Sequence, residues 1–224
     1  MDKALKESGE GRLVRVPAGA VTLEGDLSVP PGSRGIVLFA HGSGSSRHSP
    51  RNRYVAQVLR EGTLATLLID LLTAGEEAVD ATTGRLRFDI GLLAKRLIGA
   101  TDWLRSHPDT RDLRIGYFGA STGAAAALMA ATERPQDVGA IVSRGGRPDL
   151  AGPALPRVKA PTLLIVGGLD DVVIQLNQDA LKKLRAEAKL EIVPGATHLF
   201  EEPGTLEAVA SLASGWFRRY LAPA

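Results

Sequence analysis

The sequence predicts an α/β fold: a mostly parallel sheet with helices on both faces and an antiparallel hairpin at its N-terminal edge. Three observations predict it. Continuous apolar runs of strand length recur along the chain, with GIVLFA (35–40) and ATLLI (65–69) the clearest, and unbroken apolar runs suit strands buried on both faces of a parallel sheet. Segments with helical periodicity lie between these runs. Strand and helix then alternate from residue 35 to the end, the pattern of helices covering a parallel sheet. At 224 residues the chain suits one domain over 1–224. It is long enough to bury a core without disulfides or metals.

In order, 13–16 and 20–29 alternate apolar and polar residues and predict the hairpin, with its turn at Pro17-Ala18-Gly19. Pro30-Pro31-Gly32-Ser33 closes it. After the run at 35–40 comes a short helix at 52–60, then the run at 65–69. A long helix at 88–106 carries Ile90, Leu93, Leu97, Thr101 and Leu104 on one face. The strand at 113–118 is followed by a helix at 122–132, rich in helix-favouring alanine. Strands at 138–142, 162–166 and 190–193 and helices at 178–188 and 205–221 complete the set. The loop 145–160, with its glycines and prolines, takes the place of a helix.

Composition excludes several functions. Lysine and arginine exceed aspartate and glutamate by only two, 27 against 25, and no basic block appears, so nucleic-acid binding has no electrostatic footprint. With no cysteine, disulfides, thiolate zinc sites and a cysteine nucleophile are ruled out. The N-terminal stretch lacks the apolar core of a signal peptide, and no apolar run is long enough to span a membrane. A cytoplasmic protein is expected.

The chemistry concentrates where strands end, since functional groups of such sheets gather at the carboxyl ends. Gly119-Ala120-Ser121-Thr122-Gly123 joins an apolar strand to a helix. The G-x-S-x-G pattern there fits a turn sharp enough to exclude bulky neighbours and hold the serine out at the top of the sheet. The following helix aims its N-terminal N–H groups, and the positive end of its dipole, at the reaction centre.

A serine hydroxyl needs a base and the base an orienting acid. Of four histidines, His107 sits at a helix end and His48 in a polar loop, and both are expected at the surface. His41 follows the strand at 35–40 and either supports or shapes the cleft. His198, in PGATHLF after the last strand, is the candidate base. Asp170 and Asp171 follow the strand at 162–166, with Asp149 a weaker rival acid. An oxyanion hole needs N–H donors aimed at the charge that develops. Thr122 N–H should be one and Ser43 N–H the other, with Gly44 second, from the loop His41-Gly42-Ser43-Gly44-Ser45-Ser46. Arg144 and Arg147, past another strand end, are candidate binders of a substrate carboxylate, with His41 and Gly44 as further substrate contacts.

With LFAHGSGSS, GYFGASTG, LLIVGGLDD and GATHLFEEPG the chain, from about residue 12 to 221, resembles the α/β-hydrolase superfamily and its dienelactone hydrolase-like group. The resemblance implies an α/β-hydrolase fold, Ser121 as nucleophile, His198 as base, and the aspartate of G-x-x-D, here Asp170, as acid. His41-Gly42 matches the pair leading into the oxyanion loop. Dienelactone hydrolases proper carry cysteine in the elbow, so the serine turns the expectation toward a serine ester hydrolase. Similar domains also occur fused or linked to phosphoribosyltransferase domains.

Only the helix at 122–132, a strand, the 145–160 loop and another strand fit between Ser121 and Asp170, so no large cap domain is expected there. The implied activity is hydrolysis of small carboxylic esters or lactones through an acyl-enzyme. No metal or organic cofactor is needed; nucleic acid and membrane are not expected partners. The chain is expected to be a monomer or small homo-oligomer. The rival readings are a non-catalytic hydrolase-fold binding protein and an acyltransferase or perhydrolase using the same residues. A dinucleotide site is disfavoured, because the glycines are not in the first strand–helix unit and no acidic residue follows the next strand. A P-loop lacks its Gly-Lys-Ser/Thr.

Overall fold

A computed structural model describes residues 11–221. Its sheet has eight strands in the order β1-β2-β4-β3-β5-β6-β7-β8. They are β1 (Arg12–Ala18), β2 (Val21–Ser28), β3 (Gly35–Ala40), β4 (Ala65–Ile69), β5 (Arg114–Ala120), β6 (Val138–Arg144), β7 (Thr162–Gly167) and β8 (Ala188–Val193). β1 and β2 pair antiparallel, β2 joins β4 antiparallel, and every other neighbouring pair is parallel. The helices are α1 (Pro50–Glu61), α2 (Ala74–Thr83), α3 (Ile90–Ser106), α4 (Thr122–Glu133), α5 (Asp171–Leu181) and α6 (Thr205–Leu221).

The strands β3, β4 and β7 are buried along their whole length, which is why their sequences do not alternate. They separate two apolar layers. One face packs Leu93, Leu97 and Leu104 of α3 and the alanines of α4 against Leu38, Leu67 and Tyr117. The other packs Val55 and Leu59 of α1 and Val209, Trp216 and Phe217 of α6 against Val37, Phe39 and Phe118. The predicted face of α3 is buried throughout, Thr101 included; the Thr101 hydroxyl donates to the Leu97 carbonyl at 2.8 Å.

Three local expectations are corrected. The hairpin turn is Gly19-Ala20, not Pro17-Ala18-Gly19. Pro17 stays in β1 opposite Thr22, as an edge strand permits, and Gly19 takes φ 71°. The helix expected at 178–188 begins earlier, at Asp171, and ends at Leu181. Val172, Val173 and Ile174 read as β-branched, yet Val173, Asn177 and Ala180 form the buried helical stripe. The helix α2 was not anticipated: of its residues Asp80 is the buried one, so it has almost no apolar periodicity. What starts it is a capping box, Thr73 accepting from Glu76 N–H while Glu76 accepts from Thr73 N–H. The 145–160 loop carries a kinked 3-10 helix, Pro148–Arg157, and no cap domain is inserted among the described residues. None of the helices is long and apolar enough to cross a membrane.

Candidate active site

Ser121 lies between β5 and α4 with φ 49° and ψ −119°. A non-glycine residue at positive φ costs energy and persists only where its surroundings impose it. Both flanking glycines show how. A Cβ on Gly119 would come 2.4 Å from Ala124 Cα, and one on Gly123 would come 2.2 Å from the Ala40 carbonyl oxygen. Neither position can carry a side chain. The small alanines of α4, buried from Ala124 to Ala127, let the helix lie this close. The turn is also tied to the end of β6: Ser121 N–H donates to Arg144 O at 3.3 Å, and Arg147 N–H donates to Ser121 O at 3.1 Å.

His198 is half-buried in the loop after β8, and its Nδ1 lies 2.6 Å from Asp170 Oδ2. With the carboxylate ionised, Nδ1 carries the proton and Nε2 is left as an acceptor. The imidazole rests against the turn after β6, where Gly145 has φ 50° and where a Cβ would sit 3.5 Å from the ring. Two carboxylates hold this region. Asp170 takes His198, while Glu202 accepts from Thr197 N–H at 3.0 Å and from the Thr197 hydroxyl at 2.6 Å, closing the histidine loop. These bonds hold the Glu202 carboxyl below the usual carboxylate range. Of the rival acids, Asp149 is engaged with Arg147 through two bonds of 2.9 and 2.8 Å, and Asp171 is exposed at the start of α5.

On the other side of Ser121 lies the loop from His41 to Ser49. Gly42 approaches so closely that a Cβ would be 3.2 Å from Ser121 Cβ. The next residues form a turn, Ser45 N–H donating to Gly42 O at 3.2 Å with Gly44 at φ 70°. Ser43 is the second residue of this turn, so its N–H lies outside the closing bond. His41 is buried with both nitrogens occupied: Leu71 N–H donates to Nε2 at 3.0 Å, so Nδ1–H donates to Gly42 O at 2.9 Å. It is a neutral strut between the loop and the segment after β4.

Arg47 is a second strut. Its backbone N–H donates to Asp70 at 2.7 Å, and its guanidinium meets Asp70, Glu24 at 2.8 Å and Asp26 at 3.6 Å. Burial works against its charge, but the three carboxylates outweigh it and raise the guanidinium pKa. Sequence reading did not single out Arg47. Its partners are spread over β2 and the end of β4, and only the fold brings them together.

This loop forms one wall of a cavity of about 470 Å³. His41, Ser43, Gly44 and Thr122 line it together with Ser45, Ser46 and Ser49, while Arg51 and Arg87 stand in its walls. Arg87 is oriented by the buried Asp80, which accepts from Leu86 N–H, Arg87 N–H and Arg87 Nε. Ser121, Asp170, His198 and Arg144 are not among the cavity walls; Thr122 and Gly42, which flank the serine turn, are.

Arg144 does not sit as a solvated loop arginine. It is 7% exposed, with its guanidinium 5.9 Å from the centre of the Phe118 ring and its Nη1 buried without a hydrogen-bond partner. Burial and the nearby Arg51 push it down to about 10. His48 is exposed, whereas His107 is half-buried against Trp103, ring centres 4.5 Å apart. Among the described residues no group of three or more His, Asp or Glu side chains is arranged to hold a metal ion.

Residues 29–220 match the model of the dienelactone hydrolase family. A crystal structure of a dienelactone hydrolase from Anabaena variabilis is 65% identical, covers 96% of this chain and 100% of its own, and superposes with a TM-score of 0.93. An α/β serine hydrolase without lid from Xanthomonas campestris shares the fold at 21% identity, covering 97% and 98% of the two chains with a TM-score of 0.75. A relative from Mycobacterium tuberculosis, provisionally named a phosphoribosyl transferase, is 61% identical over 208 residues, 93% of this chain and 46% of its own. The chain thus spans about half the length of that relative. The strained serine turn, the shared fold and the match along β3 to β8 converge: this chain belongs to the dienelactone hydrolase family of the α/β-hydrolase superfamily.

Proposed function

We propose that this hydrolase cleaves small carboxylic esters or lactones with Ser121 as nucleophile, His198 as base and Asp170 as the orienting acid. The observation that carries the reading is the His198–Asp170 bond of 2.6 Å; Ser121, at φ 49°, is tied to Arg144 at the end of β6, and His198 rests against the next residue, Gly145. In the first step His198 Nε2 takes the hydroxyl proton as Ser121 Oγ adds to the carbonyl carbon. Asp170 stabilises the imidazolium that results. The oxyanion is met by the N–H of Thr122, at the start of α4, and by that of Ser43, in the turn braced by His41 and Arg47. The C–O bond then breaks, the alcohol oxygen taking the proton from His198, and water repeats the sequence to free the acid.

The reading includes a small ester or lactone as the partner. It places the protein in the cytoplasm, as a monomer or small homo-oligomer without a cofactor, and assigns no role to nucleic acid or membrane. Arg144 is reassigned within it: its burial apart from the cavity favours support of the site over contact with a substrate carboxylate. The transferase name of the M. tuberculosis relative, a chain about twice as long, is not carried over.

The test is Ser121→Ala, with 4-nitrophenyl acetate hydrolysis and fluorophosphonate labelling as the readouts. Hydrolysis is expected to fall by about 10⁴-fold or more, with labelling lost and the melting curve retained. Labelling that persists in Ser121→Ala, or turnover left unchanged, sinks the assignment.

A further inference from the structure

The cavity beside Thr122 and Gly42 has a wall made by a single stretch of chain. Leu72, Glu77, Asp80 and Arg87 all border it, and the segment 73–88 that carries most of them is bonded largely to itself. Thr73 and Glu76 close the capping box at its start. The buried Asp80 carboxylate accepts from Leu86 N–H at 2.7 Å and from Arg87 N–H at 3.2 Å. The Asp80 carbonyl accepts from Gly84 N–H at 2.7 Å and from Arg87 Nη2 at 3.0 Å. The Thr82 and Thr83 hydroxyls donate to Val79 O. The α2 helix and the 3-10 turn Leu86–Phe88 thus form one body around Asp80.

That body buries little. Asp80 is the buried residue of α2, and Val79 and Phe88 stand 56% and 58% exposed. The α2 helix packs chiefly on the 3-10 turn rather than on the sheet, and Leu86 is the apolar foothold at the edge of the core. The two ends are fixed by contrast. Leu71 and Leu72 are buried, with Leu71 N–H held by His41, and Asp89 caps α3 by accepting from Leu92 N–H at 2.9 Å. Among the described residues, the bond that ties α2 to another element runs from Arg96 Nη2 to Glu76 Oε1 at 2.5 Å. Arg96, in α3, is itself buried and anchored on Ala18 O at 3.2 Å. An element with closed internal bonds and few buried apolar contacts opens as a unit, at a small fraction of the global unfolding free energy.

We propose that residues 73–88 form a flap that turns between Leu72 and Asp89 to open and close the cavity, with the Glu76–Arg96 pair as its latch. The closed position is marked by Arg87, whose Nη1 lies 3.7 Å from where a Cβ on Gly44 would sit, in the turn that carries Ser43. The catalytic consequence rests on the Ser121 reading above: the acyl group of an ester bound at Ser121 passes Thr122 into the cavity, and the flap closes on it. Glu76 and Arg96 are positioning residues, since neither borders the cavity. A flap that is open for a larger share of the time weakens apparent substrate affinity in proportion and leaves the chemistry at Ser121 alone.

Hydrogen exchange read by mass spectrometry tests the motion. Amides of 77–88 should exchange together, about tenfold or more faster than the hydrogen-bonded amides of α3 and α4. Glu76→Gln keeps a capping-box residue at its position but removes the charge of the latch. It should speed exchange over 77–88 by about fivefold or more and leave α3 and α4 unchanged. It should also raise KM for 4-nitrophenyl butyrate about threefold or more, with kcat within about twofold. Arg96→Gln loosens the latch from the α3 side and should give the same local pattern, which keeps the proposal testable if one variant does not fold. Wild type labelled with a long-chain fluorophosphonate should exchange more slowly over 77–88 than the free enzyme. Exchange over 77–88 as slow as in α3, a Glu76→Gln effect spread evenly over α3 and α4, or an unchanged KM overturns the flap. So does labelling that leaves 77–88 as it was. An enzyme that takes no label defeats the Ser121 assignment instead, and the exchange pattern of the two variants then decides the flap.

Discussion

The serine turn and the loop across from it meet at the proposed site but are held by different physics. Residues 119–123 are fixed by exclusion: two positions where any Cβ would collide with backbone, and a serine forced to positive φ between them. The loop 41–49 is fixed by attraction: a doubly bonded neutral histidine, and an arginine among three carboxylates. The first kind of constraint is local, so it leaves a short spaced pattern in the sequence. The second draws its partners from β2 and from the end of β4, so it leaves none. Steric constraint also fails abruptly when a methyl group is added, whereas polar constraint weakens by degrees and depends on charge state.

That contrast can be broken at either end. The largest effect is expected from Gly123→Ala, which drives a methyl group toward the Ala40 and His41 carbonyls at 2.2 and 2.5 Å. It should cost about 3 kcal/mol or more in chemical denaturation and abolish fluorophosphonate labelling. Arg47→Met should cost about 2 kcal/mol, less than the loss of a fully buried ion-pair partner, because the Arg47 and Asp70 side chains are 14% and 13% exposed and Glu24 is half open at 53%. It should lower kcat more than it raises KM, because the turn bearing the Ser43 N–H loosens. An unchanged kcat would show that the loop holds its shape without the ionic hub.

Arg144→Met should move stability the other way. An unpaired cation pushed down to about 10 by burial and by Arg51 opposes folding while it is protonated. The penalty is therefore complete below about pH 10 and is relieved as pH rises toward the unfolded value. Replacing it with methionine should stabilise the protein by about 1–3 kcal/mol at pH 7. A destabilised variant would mean that the guanidinium has a partner that compensates it.

The smallest effect is expected from Glu202→Gln, and it is the one that depends on acid. The Thr197 bonds lower the Glu202 pKa, so their contribution is present above the unfolded value of about 4.3 and is lost as pH falls through the folded one. Melting temperatures of wild type and variant should differ at pH 7 and converge below about pH 4. A gap that stays constant across that range would remove the carboxylate from the clamp.

The same division explains what could be read in advance. The strands β3 to β7 were legible because burial on both faces leaves an unbroken apolar run, and α3 because one face must be apolar. The α2 helix was hidden because it buries little, although Thr73 and Glu76 at capping-box spacing were a usable signal. The α5 helix was displaced because its first turn is made of β-branched residues that a strand would favour; burial of Val173, Asn177 and Ala180 overrode that preference. Of the proposed site residues, Ser121, Asp170 and His198 stand out in the sequence because they lie just past strand ends, and the structure brings the last two into contact. Arg144 was legible in position but not in environment, since nothing in its neighbours along the chain foretold burial against Phe118. Arg47 gave no sign at all, because an ionic hub is defined by its partners.

The match to the family begins at residue 29, and a trimmed protein starting there would keep every residue assigned to the chemistry. It would lose Glu24 and Asp26, two of the three counter-charges of Arg47. The hairpin therefore belongs to the working unit: chains shortened from the N-terminus should fail once β2 is cut, well before the truncation reaches β3.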